Sequence, residues 1–450
     1  MTTDIRQSLR DSKTIRWVAL AIVSFTMFCG YYFEKVVSAI KPALEKEAHW
    51  GSGDFGIFRF SYGWITVFLG GLVIGGIILD KKGVRFSGIL ACTMMLIGSS
   101  LCAYALFAGF PVAKQVWVAS FGFAIFCMGD ELAGITVSKV IVKWFKGRGL
   151  ALAMGLEMAA ARMGSGVALG LGPFLVGTMG LGVSAPLFLG VSLLLFGTVA
   201  FIVYTGIDRK LDASEPPAAE SEASGSEDEF KFSDILDIFR NKGFWLIAIL
   251  CVLFYSAVFP YLDFANDLMV HKFGFTQERA GLVPMLLPFG TILLTPIFGR
   301  VYDRMGKGAS IMALGALILI VVHTIFSIPA FTHVGFAIFA VLLLGIGFSL
   351  VPSAMWPSVP KLIPEKQLGT AYALIFFIQN IGLMCVPLLI GWVLDRFCII
   401  SAPGETIKYN YTLPMVIFTV FGVLALFVAI MLKSVDAKKG YGLELPNIKK

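Results

Sequence analysis

The chain has 450 residues, of which 57% are hydrophobic and only 14% charged. A soluble domain carries about 25% charge, so the composition excludes one and points to a membrane protein. The net charge of +7 is spread over many loops, which excludes a nucleic-acid partner, because that would need a concentrated basic face.

Apolar runs of roughly 20 residues, enough to cross a ~30 Å hydrocarbon core, recur along the chain. They lie near 17–40, 55–79, 86–108, 113–138, 149–176, 184–206, 243–268, 279–301, 309–330, 334–358, 368–394 and 412–433. They predict an all-α membrane protein of twelve transmembrane helices. Most Lys and Arg fall on the side that holds both termini, and the positive-inside rule makes that side cytoplasmic. The first run has a basic flank but no small-x-small site after Cys29, so it reads as a retained helix and not a cleaved signal.

Run one carries Glu34 behind an aromatic stretch, placed to reach a cavity, and run two carries Tyr62 and Arg59, the latter facing either Glu34 or outer water. Runs two and three are joined by Gly76-Ile-Ile-Leu-Asp80-Lys81-Lys82-Gly83-Val84-Arg85. Here Asp80 and Arg85 are expected to pair with neighbouring backbone and side chains, and Gly83 to turn the chain. Run four then brings Asp130 and Glu131, and run five Arg162. A charge at a helix centre costs roughly 2.5–3.5 kcal/mol on insertion scales, so each needs a partner or a watery cavity.

Glu131 lies 13 residues before Trp144, and Arg162 lies 13 after Gly149. At 1.5 Å per residue both sit about 20 Å from the loop joining their helices, and an ion pair between them is expected. It reads either as a structural bridge or as a cavity couple. In the second case Arg162 takes a carboxylate in bidentate fashion and Glu131 an ammonium. Asp130, rotated by about 100° on the helix, is expected to face elsewhere, as a proton site or a packing contact.

Residues 212–229 are acidic and Pro/Ser-rich, which predicts a disordered stretch within a cytoplasmic linker at 207–242; residues 232–239 then read as a short interfacial amphipathic helix. The linker separates six runs in 1–206 from six in 243–450. In the second half Asp263 and Asp267 share one helix face near the outer end, where solvation at an outer mouth or proton coupling are the two readings. Tyr255, Trp356, Gln379 and Asn380 complete the polar set; the two amides need partners inside a bilayer and so favour a cavity. His323 is expected to face supporting helices.

Between runs eight and nine the earlier loop returns as Gly299-Arg300-Val-Tyr-Asp303-Arg304-Met-Gly306-Lys307, its aspartate 223 residues after Asp80. Asp80, Gly83 and Arg85 in one half, and Asp303, Arg304 and Gly306 in the other, are therefore assigned to gating. This doubled GxxxD(R/K)xG(R/K) loop resembles the signature of the major facilitator superfamily of transporters. The resemblance implies two packed six-helix bundles with a substrate site between them near the midplane.

The chemistry of other classes is missing. There is no HExxH, no GxSxG and no Walker spacing around Lys307. Cysteines lack a CxxC, and the four histidines do not cluster. No enzyme activity, metal or cofactor is expected, and uphill transport would draw on an ion gradient.

More specific stretches are Gly129-Asp-Glu131-Leu-Ala, Ala161-Arg-Met-Gly-Ser165, Ala257-Val-Phe-Pro260, Trp356-Pro357, Pro364-Glu-Lys-Gln-Leu-Gly-Thr-Ala-Tyr372 and Ile378-Gln-Asn-Ile-Gly-Leu383. Together they resemble the lysosomal dipeptide transporter branch of that superfamily and its bacterial relatives. The branch implies dipeptide transport by facilitated diffusion, with Glu131 and Arg162 at the substrate termini. Asp130, Asp263 and Asp267 depart from the branch pattern and keep proton coupling open, as a transporter of a small organic anion would use it. A non-transporting sensor signalling through the linker is the remaining alternative. With no acidic dileucine sorting signal evident, the expected location is a cell inner membrane.

Overall fold

The computed structural model describes residues 12–145, 149–214, 238–364, 367–402 and 407–446. The described chain is helical, with a single β-bridge between Ile399 and Tyr409. In chain order the helices are α1 (Lys13–Ala39), α2 (Lys41–Glu47), α3 (Ser52–Phe60), α4 (Gly71–Phe107), α5 (Val112–Phe145), α6 (Leu150–Gly177) and α7 (Ala185–Ser214). The second half supplies α8 (Lys242–Phe273), α9 (Leu286–Met305), α10 (Gly308–Ser327), α11 (Val334–Leu362), α12 (Leu368–Phe397) and α13 (Thr412–Lys439). Among the described residues ten helices are long and apolar enough to cross a membrane. Their outward faces carry exposed Phe196, Ile202, Phe427 and Ile430, the surface of a chain solvated by lipid.

The difference from twelve uniform runs has local causes. The second run is broken into α3, a π-turn at Trp64–Phe68 and the start of α4, with Gly70 in the left-handed region between them. The eighth run begins as turns and becomes helical only at Leu286. The first signature loop hardly interrupts α4, because one residue makes the turn: Gly83 has φ 76° and ψ 175°, a conformation open essentially to glycine alone. The last helix of the first half runs on to Ser214, beyond the expected end at 206. Arg85 and Lys143 hold it there by gripping Asp208 and Asp212, with Arg85 Nη2 2.6 Å from Asp212 and Lys143 Nζ 2.9 Å from Asp208. Most of the expected acidic stretch and of the amphipathic helix at 232–239 lies outside the described residues.

Within the first half α4 packs on α5 and α7, and α1 on α6 and α7; within the second, α10 packs on α11 and α13, α9 on α11, and α8 on α12 and α13. The halves meet along α3–α12, α6–α9 and α1–α8. All three seams lie at the end opposite the two signature loops. Small residues allow the approach: a Cβ on Gly391 of α12 would overlap the Ser52 carbonyl, and one on Gly56 of α3 would lie 3.0 Å from the Pro387 carbonyl oxygen.

The two signature loops are secured differently. Asp80 pairs with Lys139 of α5 at 2.6 Å on an exposed surface. In the second loop Gly306 (φ 67°) is buried beneath the C-terminal segment. There Lys307 N donates to Glu444 O at 3.0 Å, and the Glu444 carboxylate caps the start of α10 through Ser310 N at 3.0 Å and Ser310 Oγ at 2.8 Å. Asp303 and the exposed Arg304 stand at the end of α9 beside it.

Gly391→Val forces bulk into the α3–α12 seam and is expected to destabilise the protein by about 1–3 kcal/mol. Gly155→Ala, where a Cβ meets nothing within 4 Å, serves as the control and is expected to leave the thermal midpoint in detergent unchanged or slightly raised.

Candidate binding cavity

The seams enclose one end of a cavity of about 550 Å³ between the halves, lined from both. Its closed end carries Glu34, Lys35, Arg59 and Asp263, and its walls become exposed toward the signature-loop end, at Met158 (46%) and Phe376 (41%). Of the expected binding residues, Glu131, Arg162, Asn380, Gln379, Tyr255, Trp356, Tyr62 and Glu34 all line it.

The expected Glu131–Arg162 ion pair does not form. Equal depth brought the two residues level but not together, because α5 packs chiefly on α4 while α6 packs on α1. Glu131 instead accepts hydrogen bonds from the Tyr62 hydroxyl and the Asn380 amide. The Arg162 guanidinium lies over the rings of Phe348 and Phe259 of the second half, 4.9 and 5.9 Å from their centroids. It has no carboxylate partner among the described residues, and cation–π contact supplies its stabilisation.

Asp130 corrects a second expectation, since it lines the same cavity as Glu131. Its Oδ1 is buried without a hydrogen-bond partner and lies against Gly30 of α1, where any side chain would overlap it. On the opposite wall the Trp356 indole donates to Tyr255 Oη at 3.0 Å and stacks on Phe376 at 4.7 Å, and Gln379 Oε1 accepts from Cys251 at 3.3 Å. Tyr261 and Trp64 fall outside this group, packed against His323 and Trp117 respectively. His323 is fully buried and hydrogen-bonded to Ala257 O at 3.0 Å, among supporting helices as expected.

Asp263 and Asp267 are not solvated at an outer mouth; they are 1% and 0% exposed. Asp263 accepts from Lys35 (2.8 Å), Ser38 (3.1 Å) and Arg59 Nε (3.0 Å), and Arg59 also binds Glu34 at 2.6 Å. Glu34 therefore faces the cavity already engaged. One helical turn further on, Asp267 meets Lys41 at 2.7 Å, His271 at 3.1 Å and the Tyr411 hydroxyl, while Lys41 also binds Glu45. Burial opposes the charge on Lys41, but Asp267 and Glu45 outweigh it and hold its ammonium above the usual lysine value. Burial, reinforced by the Asp267 charge, pushes the Tyr411 phenol well above its ordinary range. Glu45, Asp267 and His271 offer three ligand atoms at metal-site spacing, yet the Lys41 ammonium is already bonded to both carboxylates and offsets one of their two charges.

A third crossing was not legible in the sequence. Asp395 of α12 accepts from Ser52 N (3.0 Å), Gly53 N (2.6 Å) and Tyr409 Oη (2.8 Å), so it caps α3 from the other half.

Two helical halves with doubled signature loops around a charged cavity are the architecture of a membrane transporter. The family model described as Major Facilitator Superfamily matches residues 20–387 and 263–443, and the chain belongs to that superfamily. It is a multi-pass membrane transporter and not an enzyme. It is 28% identical over 389 residues to the lysosomal dipeptide transporter MFSD1 of Danio rerio, covering 84% of this chain and 81% of the relative. The Homo sapiens MFSD1 is likewise 28% identical over 385 residues, covering 84% and 80%. Among solved structures, a bacterial homologue of the human lysosomal transporter Spinster, inward-facing and unoccupied, superposes with a TM-score of 0.70 at 13% identity, covering 95% of this chain and 98% of that one. A mutant peptide transporter POT in complex with alafosfalin gives 0.69 at 14% identity, covering 95% of each chain.

Removing one member of a buried pair strands the other charge and typically costs about 3–5 kcal/mol, whereas replacing both with apolar groups is far milder. Lys41→Met is accordingly expected to lower stability by that amount, and Lys41→Met combined with Asp267→Leu to recover most of it, as read by unfolding in detergent.

Proposed function

We propose that this chain is an alternating-access carrier of dipeptides or similar small zwitterions, with twelve spans arranged as six-helix bundles in 1–206 and 243–450. On this reading the signature-loop end, the termini and the 207–242 linker are cytoplasmic, the membrane is a cell inner membrane, and the described conformation is open to the cytoplasm. One observation carries the substrate assignment. Arg162 presents a cation to the cavity with only aromatic faces against it, while Glu131 and Asp130 supply carboxylates to the same cavity. A zwitterion satisfies both charges at once: its carboxylate takes the Arg162 fork and its ammonium takes Glu131, each desolvated and charge-assisted. Both residues also touch the second half, Arg162 through Phe259 and Phe348 and Glu131 through Asn380, so a ligand bound to them would couple the two halves. The similarity to the dipeptide transporter MFSD1 supports the same substrate class.

The signature-loop residues Asp80, Gly83, Arg85, Asp303, Arg304 and Gly306 would set the rocking of the halves. Asp263 and Asp267, tied to cations of the first half, would form the gate that breaks when the far end opens. Counterflow of labelled dipeptides in proteoliposomes tests the assignment. Loss of a buried charge partner is worth about 2–5 kcal/mol, so Arg162→Ala should reduce uptake by about thirtyfold or more with the protein still folded. Unchanged uptake would remove Arg162 from the site.

A second reading, a proton-coupled transporter of a small organic anion, is favoured by the unpartnered buried Oδ1 of Asp130. An imposed proton gradient separates the two. The uniporter gives no accumulation above equilibrium, whereas the coupled carrier accumulates substrate and loses that accumulation in Asp130→Asn.

A further inference from the structure

A second concavity, of about 980 Å³, lies outside the substrate cavity, along the α6–α9 seam between the halves. On α6 its wall runs from Val167 through Leu171 and Phe174 to Thr178, residues spaced three or four apart and therefore on one helical face. The opposite wall is Phe289, Met285 and Leu282, with Glu278 and Arg279 beyond them at the far end. The helices can lie this close because Gly166 and Gly170 face Phe289 and Met285, where a Cβ would fall within 2.8 Å of either side chain.

Polarity changes along this groove in one direction. Hydroxyls and charges sit at the far-end mouth, and side chains nearer the bilayer centre are apolar. From Val167 to Thr178 the helix rises about 16 Å, close to half of the ~30 Å hydrocarbon core. The groove therefore spans one leaflet. Neither Glu278 nor Arg279 has an ion-pair partner among the described residues; the Glu278 carboxylate accepts from the Thr276 hydroxyl, and the exposed Arg279 stands beside it at the mouth. Phe174 and Leu282 are 43% and 48% exposed, open to whatever lies alongside.

We propose that this groove is a binding site for a phospholipid whose headgroup carries a primary ammonium, of the phosphatidylethanolamine class. An acyl chain lies along Leu171, Phe174, Leu282 and Phe289, the Arg279 guanidinium takes the phosphate, and the Glu278 carboxylate takes the ammonium. The site joins elements of both halves, so the bound lipid is a wedge whose fit depends on the angle between them. This assignment is independent of the transported substrate.

Native mass spectrometry of the full-length protein, titrated with phosphatidylethanolamine, phosphatidylcholine and phosphatidylglycerol of matched chains, tests it. One retained phosphatidylethanolamine is expected to bind about fivefold tighter than phosphatidylcholine, the factor a single headgroup charge contact gives. Glu278→Gln should abolish that preference, Arg279→Ala should weaken both lipids, and Leu282→Trp should displace the lipid by filling the groove. A diazirine-labelled phosphatidylethanolamine should crosslink to 167–178 and 282–289. The proposal is overturned if the three lipids bind alike, if the Arg279 and Leu282 variants retain lipid as the parent does, or if crosslinks scatter over the other helices.

Discussion

Two carboxylates closed off from water, Asp263 and Asp267, are tolerated in this molecule only because the other half of the chain delivers cations to them. A buried charge without a partner is among the most destabilising groups a protein can hold. Lys35, Arg59 and Lys41 are equally buried on their side. Neither half is electrostatically complete at this end, and the requirement that each neutralise the other sets how they meet. The glycine contacts along α3–α12 and α6–α9 then decide how close they come. With one end shut in this way, the space between the halves can open only toward the signature loops.

The walls of that space differ in chemistry. The first half contributes charge and hydroxyl at Asp130, Glu131, Arg162 and Tyr62, whereas the second contributes Tyr255, Phe259, Trp356 and Phe376, with amides at Gln379 and Asn380. Arg162 crosses the divide by resting on aromatic faces of the second half, an interaction weaker than a carboxylate pair in a desolvated setting. A guanidinium held this way does not spend its hydrogen-bonding edge on the rings that support it, which is what the proposed function requires of it. The aromatic wall offers little to compete for it.

Helix positions and the doubled loop could be read from the sequence because they rest on local signals: run length, hydropathy and glycine placement. The cavity residues could be read for a related reason, since a polar residue in mid-span must find either a partner or water. Partner choice could not. Counting depth placed Glu131 and Arg162 level, but helix rotation and neighbour packing set Glu131 on Tyr62 and Asn380 and turned Arg162 away. The same gap hid the pairing of Asp263 with Lys35 and Arg59 across more than 200 residues of sequence, with separations of 228 and 204. A usable signal did exist: three cations (Lys35, Lys41, Arg59) toward the outer end of one half and two acids (Asp263, Asp267) toward the outer end of the other. The grip of Glu444 on α10 had no sequence signal, because an irregular segment far along the chain brings both its carboxylate and its backbone carbonyl to the helix start.

The cap that Asp395 places on α3 makes the beginning of one helix the property of the opposite half. The first amides of any helix are orphans until something accepts from them. On the proposed alternating-access cycle the acceptor would depart when the two halves separate at this end, leaving Ser52 and Gly53 to be met by water. Amide-hydrogen exchange at these two positions would then report how populated that opened form is, without any bound molecule.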